Sequence, residues 1–314
     1  MFKNVLVGVD GRPGGRDAIA LAARLADPDA KLTLAHVHSG RLRPTHAITP
    51  GMVKEDREAS AKLLEADMAT AEVSAGRVSI EASSPGRGLH QQAEEQGADL
   101  LVVGSCSRGA LGRAMLGDDT RAALNGAPCA VAIATVGYAE HPVPFKNIGV
   151  GYDSSRESEA ALKTARELAK TTRATVHALE VVSIPTYAYT GVIPPVTGES
   201  LELMLQEANT RLKELPEVHG RAVCGLTGEE LAAFGEEVDL LVVGSRGYGP
   251  VKRLVLGSTS TYLQRHARCS LLVLARVAAV DGDAAGADVG GEARAGFDVV
   301  REIDGTPTEV EANR

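Results

Sequence analysis

The chain has 314 residues, 44% hydrophobic and 24% charged, which is the composition of a globular protein with about two domains. A net charge of −8 and only ten aromatic residues, none of them Trp, argue against a nucleic-acid partner. No apolar run reaches the ~18 residues of a membrane span, and no secretory leader precedes the first strand, so a soluble, cytoplasmic protein without a membrane partner is expected.

Apolar runs of strand length alternate with longer amphipathic runs from the start of the chain. The predicted strands cover 4–9, 31–37, 77–82, 98–103 and 129–135. The predicted helices cover 14–26, 54–71, 87–96 and 117–125. Strands that alternate with helices are typical of an α/β, doubly wound fold with a parallel sheet.

The pattern then repeats. Asp99–Ser105 recurs residue for residue as Asp239–Ser245, and strands are predicted at 147–152, 174–181, 219–224, 238–243 and 270–275. A period this long indicates two copies of one domain. We therefore predict a first domain (1–137, half one), a linker (138–146), a second domain (147–277, half two) and an acidic, disordered tail (278–314).

A glycine-rich segment follows the fourth predicted strand of half two. Gly244, Gly247 and Gly249 allow close backbone approach to a ligand, and Gly257-Ser258-Thr259 would open the next helix. Free N–H groups at a helix start favour an anion, and Arg246 adds positive charge. The segment predicts a phosphate site, although a plain β–α loop capped by Ser258 explains the same residues equally well.

The spacing Gly244-x-x-Gly247, nine residues, then Gly257-Ser258 resembles the ATP-binding motif of universal stress proteins. The first strand of each half ends in Asp, at Asp10 and Asp153, which is also their pattern. The resemblance covers residues 1–277 and implies a tandem of two such domains. It further implies five-stranded sheets in the order 3-2-1-4-5, with ATP as the ligand and Mg²⁺ as an option on its phosphates.

The resemblance also assigns individual residues in half two. It places Asp153 beside the adenosine and Val181 in the adenine pocket. It implies that the phosphates are bound by the glycines and hydroxyls of the motif, namely Gly244, Gly247, Gly257, Ser258 and Thr259. The residues themselves leave other interpretations open, because an Asx-turn explains Asp153 and core packing explains Val181.

Half one departs from the motif. It keeps the weaker candidates Asp10, Gly104 and Gly117, but Ser107 replaces the second glycine and Asp118 replaces the phosphate-binding hydroxyl. A carboxylate ~4 Å from a phosphate is repelled by ~4 kcal/mol at an effective dielectric near 20. We therefore expect half one to bind nucleotide poorly or not at all, unless its loop is rearranged.

Catalytic motifs are scarce. There is no P-loop lysine and no nucleophile elbow, His36-x-His38 has no further ligand at metal-binding spacing, and Cys106 is the thiol expected to be accessible. The sequence predicts a stress-response regulatory protein without enzymatic activity, in which ATP acts as a conformational ligand. The alternatives are a slow ATPase or nucleotidyl transferase that uses the same site, and an interaction scaffold that binds no nucleotide.

The fifth strands, 130–136 and 270–277, are apolar sheet edges that invite association when exposed. We expect them to pair the two halves, with a homodimer through edge strands as a further option. The long loops at 39–55 and 183–200 are predicted to cover the nucleotide or to dock an unidentified regulatory protein.

Overall fold

A computed structural model describes residues 1–38, 50–71, 74–105, 123, 125–142, 144–183, 198–245, 254 and 257–275, with only the backbone for 50–57 and 70–71. The predicted fourth helix of half one, the acidic tail, both long loops and Cys106 therefore lie wholly or largely outside the described residues. All the other predicted elements are present, with boundaries that move by a few residues.

Half one contains five strands and three helices within these ranges. The strands are β1 (Phe2–Gly8), β2 (Ala26–His38), β3 (Gly76–Glu81), β4 (Leu100–Gly104) and β5 (Ala130–Ala134). The helices are α1 (Pro13–Leu25), α2 (Pro50–Ala71) and α3 (Pro85–Gln96). The largest shift from expectation is at β2, which begins five residues early because its start bulges beside Phe2 of β1.

Half two repeats the arrangement. Its strands are β6 (Asn147–Gly151), β7 (Thr175–Val182), β8 (His219–Cys224), β9 (Leu240–Gly244) and β10 (Ser270–Leu274). Its described helices are α4 (Arg156–Thr172), α5 (Gly198–Lys213), α6 (Thr227–Phe234) and α7 (Ser258–His266).

All ten strands form one sheet, in the order β3-β2-β1-β4-β5-β10-β9-β6-β7-β8. Within each half the neighbouring strands are parallel and lie in the order 3-2-1-4-5, so the predicted doubly wound fold is confirmed. The two halves join through β5 and β10, which pair antiparallel with Leu272 opposite Ala132. The expected pairing of the fifth strands is therefore present, and the edges left for a homodimer are β3 and β8.

The antiparallel junction sets the direction of each half. The strands of one half run opposite to those of the other, so their carboxyl ends lie at opposite edges of the sheet. These two edges are formed by strand ends, unlike the outer strands β3 and β8. Ligands of doubly wound sheets bind beyond the carboxyl ends of the strands. The segments after β1 and after β6 therefore face different edges, and each half must form its own site.

The first helix of each half packs tightly on the last residue of its fourth strand. A Cβ on Gly244 would lie 2.7 Å from the backbone oxygen of Glu157 in α4, and a Cβ on Gly104 would overlap Gly14 of α1. Real Cβ atoms do not approach backbone this closely, so both glycines are required by helix–strand packing. Any ligand contact of Gly244 is an additional role.

The linker between the halves is held by one buried carboxylate. Asp17 of α1 is 2% exposed and accepts hydrogen bonds from the N–H groups of Gly137 (2.9 Å) and Ala139 (2.8 Å). Tyr138 and Phe145 of the same segment are buried in the core. The linker is therefore fixed against half one by polar and apolar contacts together.

Candidate functional site

A cavity of about 230 Å³ opens at the carboxyl edge of half two. The described residues that line it come from the carboxyl ends of β6, β7 and β9, from the residues just after β6 and β7, and from the N-terminal parts of α4, α6 and α7. Among the residues predicted for the site, the lining includes Asp153, Val181, Gly244, Gly257 and Thr259. The fold thus brings together five residues that are spread over about a hundred positions of the chain.

Asp153 forms the Asx-turn that was one of the two interpretations considered for it. Its carboxylate accepts the backbone N–H of Ser155 at 3.1 Å, so the Asx-turn is formed, and the Ser155 hydroxyl donates to the same oxygen. The residue between them, Ser154, has φ +61°, an uncommon conformation for a residue with a side chain. Asp153 also lines the cavity, and it is held there by this turn.

One wall of the cavity is apolar. Leu179 and Val181 of β7, Leu231 of α6 and Val243 of β9 supply aliphatic side chains. Such a wall suits the flat face of an aromatic ring, while a few polar groups at its rim fix orientation. Val181 thus lines the cavity near the carboxyl end of β7, the second strand of half two, and its role beside an adenine remains a prediction.

Hydroxyl groups line the rim. The Ser183 and Thr227 hydroxyls are 2.9 Å apart, which joins the end of β7 to the start of α6. Tyr152 donates its hydroxyl hydrogen bond to Glu159 in α4. Burial and the Glu159 carboxylate both raise the pKa of Tyr152 above its usual value, so the phenol stays neutral at physiological pH.

The start of α7 faces the cavity with N–H groups that the helix itself leaves free. Its N-cap is Gly257, and no described side chain caps the first turn. Thr259 and Ser260 line the cavity, whereas Ser258 is exposed and is not among the lining residues. An uncapped helix start beside two hydroxyls is a favourable place for an anion.

Two predicted residues of this site, Arg246 and Gly247, lie outside the described residues. Ten of the fifteen described lining residues were not predicted as site residues, among them Tyr152, Ser183, Thr227, Leu231 and Ser260. Tyr152 and Ser260 adjoin predicted residues, so their neighbourhood was a usable signal. Thr227 and Leu231 enter through the packing of α6 on the sheet, and no sequence motif indicates that.

The corresponding site in half one is only partly described. Asp10 accepts the N–H of Arg12 at 3.1 Å and lies 3.6 Å from its guanidinium, so the same Asx-turn is formed with an exposed ion pair. Gly104 packs on α1, while Gly117, Ser107 and Asp118 lie outside the described residues. The weakness expected of half one as a nucleotide site therefore remains a prediction.

The histidine pair of half one has a partner in α2. His36 Nδ1 lies 2.8 Å from the Ser60 hydroxyl, and burial together with the neighbouring His38 lowers the pKa of His36. Among the described residues, no three His, Cys, Asp or Glu side chains are arranged to hold a metal ion.

Two of the cysteines are kept from reacting by burial. Desolvation raises the pKa of both Cys129 and Cys269 to about 12, so almost no thiolate forms at neutral pH.

Within the described ranges no helix combines the length and apolar character needed to cross a bilayer.

Comparison with known proteins identifies the family. The model of the universal stress protein family matches residues 1–135 and, a second time, 144–275. The Mycobacterium tuberculosis universal stress protein Rv2005c is 32% identical over 187 residues, which are 56% of this chain and 61% of that protein. The chain thus spans about three fifths of that relative's length. A second M. tuberculosis relative, universal stress protein MT2698, is 26% identical over 288 residues, which are 86% of this chain and 95% of that protein.

Solved structures agree on the fold. A universal stress protein from Archaeoglobus fulgidus superposes with a TM-score of 0.61 at 19% identity, covering 86% of this chain and 97% of that chain. A protein described as a putative universal stress protein from Pseudomonas aeruginosa gives 0.58 at 15% identity, with coverage of 87% and 93%. Two family matches on one ten-stranded sheet show that the chain belongs to the universal stress protein family, as a tandem of two of its domains.

Proposed function

We propose that half two binds ATP and that the nucleotide acts as a conformational ligand of a cytoplasmic stress-response protein. One observation carries the proposal: the cavity combines an apolar wall, a carboxylate fixed by an Asx-turn and an uncapped helix start. These three features match the three parts of a nucleotide, which are an aromatic base, a sugar with hydroxyl groups and an anionic phosphate chain.

Each feature has a definite task in this proposal. Leu179, Val181 and Leu231 would cover the base, and the Asp153 carboxylate would accept hydrogen bonds from the ribose hydroxyls. The N–H groups at the start of α7 and the hydroxyls of Thr259 and Ser260 would donate to phosphate oxygens. Mg²⁺, if bound, would be held mainly by the phosphates.

The proposed role is binding without turnover. The only carboxylate among the described lining residues is Asp153, which already accepts two hydrogen bonds within its own turn. Contacts between the nucleotide and the start of α7 would then shift a conformational equilibrium that a regulatory partner senses.

The test is the nucleotide content of the purified protein, measured by chromatography after denaturation, followed by equilibrium dialysis with ATP. We expect about one ATP per chain at saturation. A matched pair of variants assigns the site: Asp153→Ala should weaken binding, while Asp10→Ala, the equivalent change in half one, should leave it unchanged. Gly247→Val should also abolish binding, because a branched side chain would block the backbone approach.

Three results would contradict the proposal. Two ATP per chain would show that half one also binds. No uptake of ATP at any concentration would favour an interaction scaffold. Release of ADP over hours, lost in a Gly257→Val variant, would indicate a slow ATPase in place of a binding protein.

A further inference from the structure

One residue between β9 and α7 is fixed by the other half of the molecule. Leu254 is 0% exposed, and its backbone N–H donates to the Ala127 oxygen at 2.8 Å. Its own oxygen accepts the N–H of Gly126 at 2.9 Å. Both backbone groups of Leu254 are therefore satisfied by half one, in a reciprocal pair like that between neighbouring strands.

The direction of the sheet explains this contact. Because β5 and β10 are antiparallel, the start of β5 lies beside the end of β10, with Val131 opposite Val273. Gly126 and Ala127 lead into β5, and the segment from β9 to α7 leaves the sheet at that same edge. The carboxyl edge of half two, where the cavity opens, is thus the edge at which β5 of half one begins.

Contacts within half one fix the turn Gly126–Ala127 that binds Leu254. Gly126 has φ +93°, which favours glycine, and a Cβ there would lie 3.6 Å from the ring of His90 in α3. His90 Nε2 lies 2.7 Å from the Ala123 oxygen, which ties the same turn to α3. Ala123, Ala127 and Leu254 belong to one hydrophobic cluster that also contains Leu263 of α7.

We propose that this turn of half one, Gly126–Ala127, positions the phosphate end of the site in half two by holding Leu254. Leu254 stands three residues before Gly257, the N-cap of α7, so fixing it fixes where the free N–H groups of α7 begin. Half one is then a structural part of a site that none of its described residues lines. The nucleotide part of this proposal rests on the proposed function, whereas the positioning part does not.

The first experiment changes a residue in the turn Gly126–Ala127 of half one and measures the effect on α7 of half two. Gly126→Ala forces a side chain into the positive-φ conformation, and the matched control Gly97→Ala does the same at φ +62°, at the end of α3, where no atom lies within 4 Å of the new Cβ. Hydrogen exchange is measured without nucleotide at the amides of Thr261–Leu263, the first amides of α7 that are bonded within the helix, that of Thr261 to the Gly257 oxygen at 3.0 Å. We expect faster exchange there in Gly126→Ala and wild-type exchange in Gly97→Ala.

Nucleotide affinity is measured on the same proteins by equilibrium dialysis with ATP. Gly126→Ala should weaken ATP binding about tenfold, within the usual range of coupling between sites, and Gly97→Ala should not. Because coupling is reciprocal, ATP should also slow exchange at the Gly126 amide of the wild-type protein.

A second pair of variants separates positioning from loss of packing. Leu254→Ala should weaken ATP binding, and Leu254→Met, of similar volume, should restore most of it. The control is Leu272→Ala in β10, which removes a leucine that is also 0% exposed at the junction between the halves, opposite Ala132, but belongs to a different core cluster from Leu254 and Leu263. It should lower the Tm and leave both ATP affinity and exchange at α7 unchanged.

Wild-type exchange at Thr261–Leu263 in Gly126→Ala would overturn the inference, as would equal changes in Gly97→Ala or Leu272→Ala. If the wild-type protein takes up no ATP, the proposed function fails, and exchange at Thr261–Leu263 alone decides whether half one positions α7. The two failures are therefore distinguishable.

Discussion

The two halves of this chain share a framework and differ in the loop segments beyond their strands. Asp99–Ser105 and Asp239–Ser245 are identical in sequence and fold identically, each ending in a glycine packed on a helix. Yet the Ser105 hydroxyl donates to the Ala134 oxygen at 2.8 Å, whereas the Ser245 hydroxyl has no partner among the described residues.

The same contrast holds after the first strand. Both halves form an Asx-turn with a left-handed residue, but that residue is Gly11 in half one and Ser154 in half two. The comparison teaches that apolar strands and packing glycines give both halves the same fold, so that a difference in ligand binding between the halves would have to come from a few loop residues. Substitutions test this conclusion when they give one half the residue of the other, or when they remove a residue that only one half has.

The largest effect should come from giving half two the residue of half one. Ser258→Asp copies Asp118 and places a carboxylate at the start of α7. Repulsion of ~4 kcal/mol between this carboxylate and a phosphate would raise the Kd for ATP about a thousandfold. Equilibrium dialysis with ATP measures the loss, with Ser258→Ala as the control for the missing hydroxyl. Binding within tenfold of wild type would show that position 258 does not face the phosphates.

The next effect concerns the start of the linker, which half one holds through Asp17. Asp17→Ala leaves the N–H groups of Gly137 and Ala139 without their partner, at an expected cost of about 2–4 kcal/mol in the free energy of unfolding. The helix position that corresponds in half two is Ala160, with no such task. Urea denaturation measures the change, and Asp27→Ala, at a position outside the linker contact, is the control. A loss below ~0.5 kcal/mol would mean that the linker does not depend on Asp17.

A smaller effect tests the left-handed turn. Ser154→Gly should stabilise the protein by about 0.5–1 kcal/mol, because it removes the strain of a side chain at φ +61°. The reverse change in half one, Gly11→Ser, should destabilise it, since a Cβ there would lie 2.9 Å from Leu63. Thermal unfolding measures both. Destabilisation by Ser154→Gly would show that the serine hydroxyl, and not the backbone strain, dominates.

The smallest effect is a pH dependence that both halves share. Burial, reinforced by the neighbouring histidines His38 and His219, lowers the pKa of His36 and of His177. Both imidazoles bind a proton less readily in the folded than in the unfolded state. Their contribution to stability is therefore complete above pH ~6.5 and is lost as the pH falls below it.

The Tm should accordingly fall between pH 8 and pH 5.5, and less steeply in His36→Gln and in His177→Gln. His141→Gln, at an exposed position, serves as the control. A larger flattening for one histidine would show which half is the more sensitive to acid. A Tm that rises as the pH falls would contradict the assignment.

Much of the fold could be predicted because its signals are local. Continuous apolar runs such as Leu240–Val243 predict buried parallel strands, and the repeat at an offset of 140 predicts two domains. The strand order came from the family resemblance, and the pairing of β5 with β10 came from the cost of leaving two apolar edges exposed.

The site could be predicted only where its residues lie at the end of a strand or at a helix start marked by glycine, as Asp153, Val181 and Gly257 do. Thr227 and Leu231 reach the cavity from α6, whose N-cap residue Leu226 supplies no capping side chain, so no sequence signal marks the start of this helix. The contact of Leu254 with Gly126 depends on the antiparallel junction, and no pattern within either half contains it.

The junction also has a consequence for synthesis of the chain. At 5–20 residues per second, the ribosome needs roughly 7–27 s to go from the end of β5 to the start of β10. During that time half one can fold with the apolar edge of β5 unpaired, and two nascent chains on one messenger carry the same edge. Pairing of β5 with β5 would give an exchanged dimer, so the interval before β10 emerges is the time when this protein most needs a chaperone.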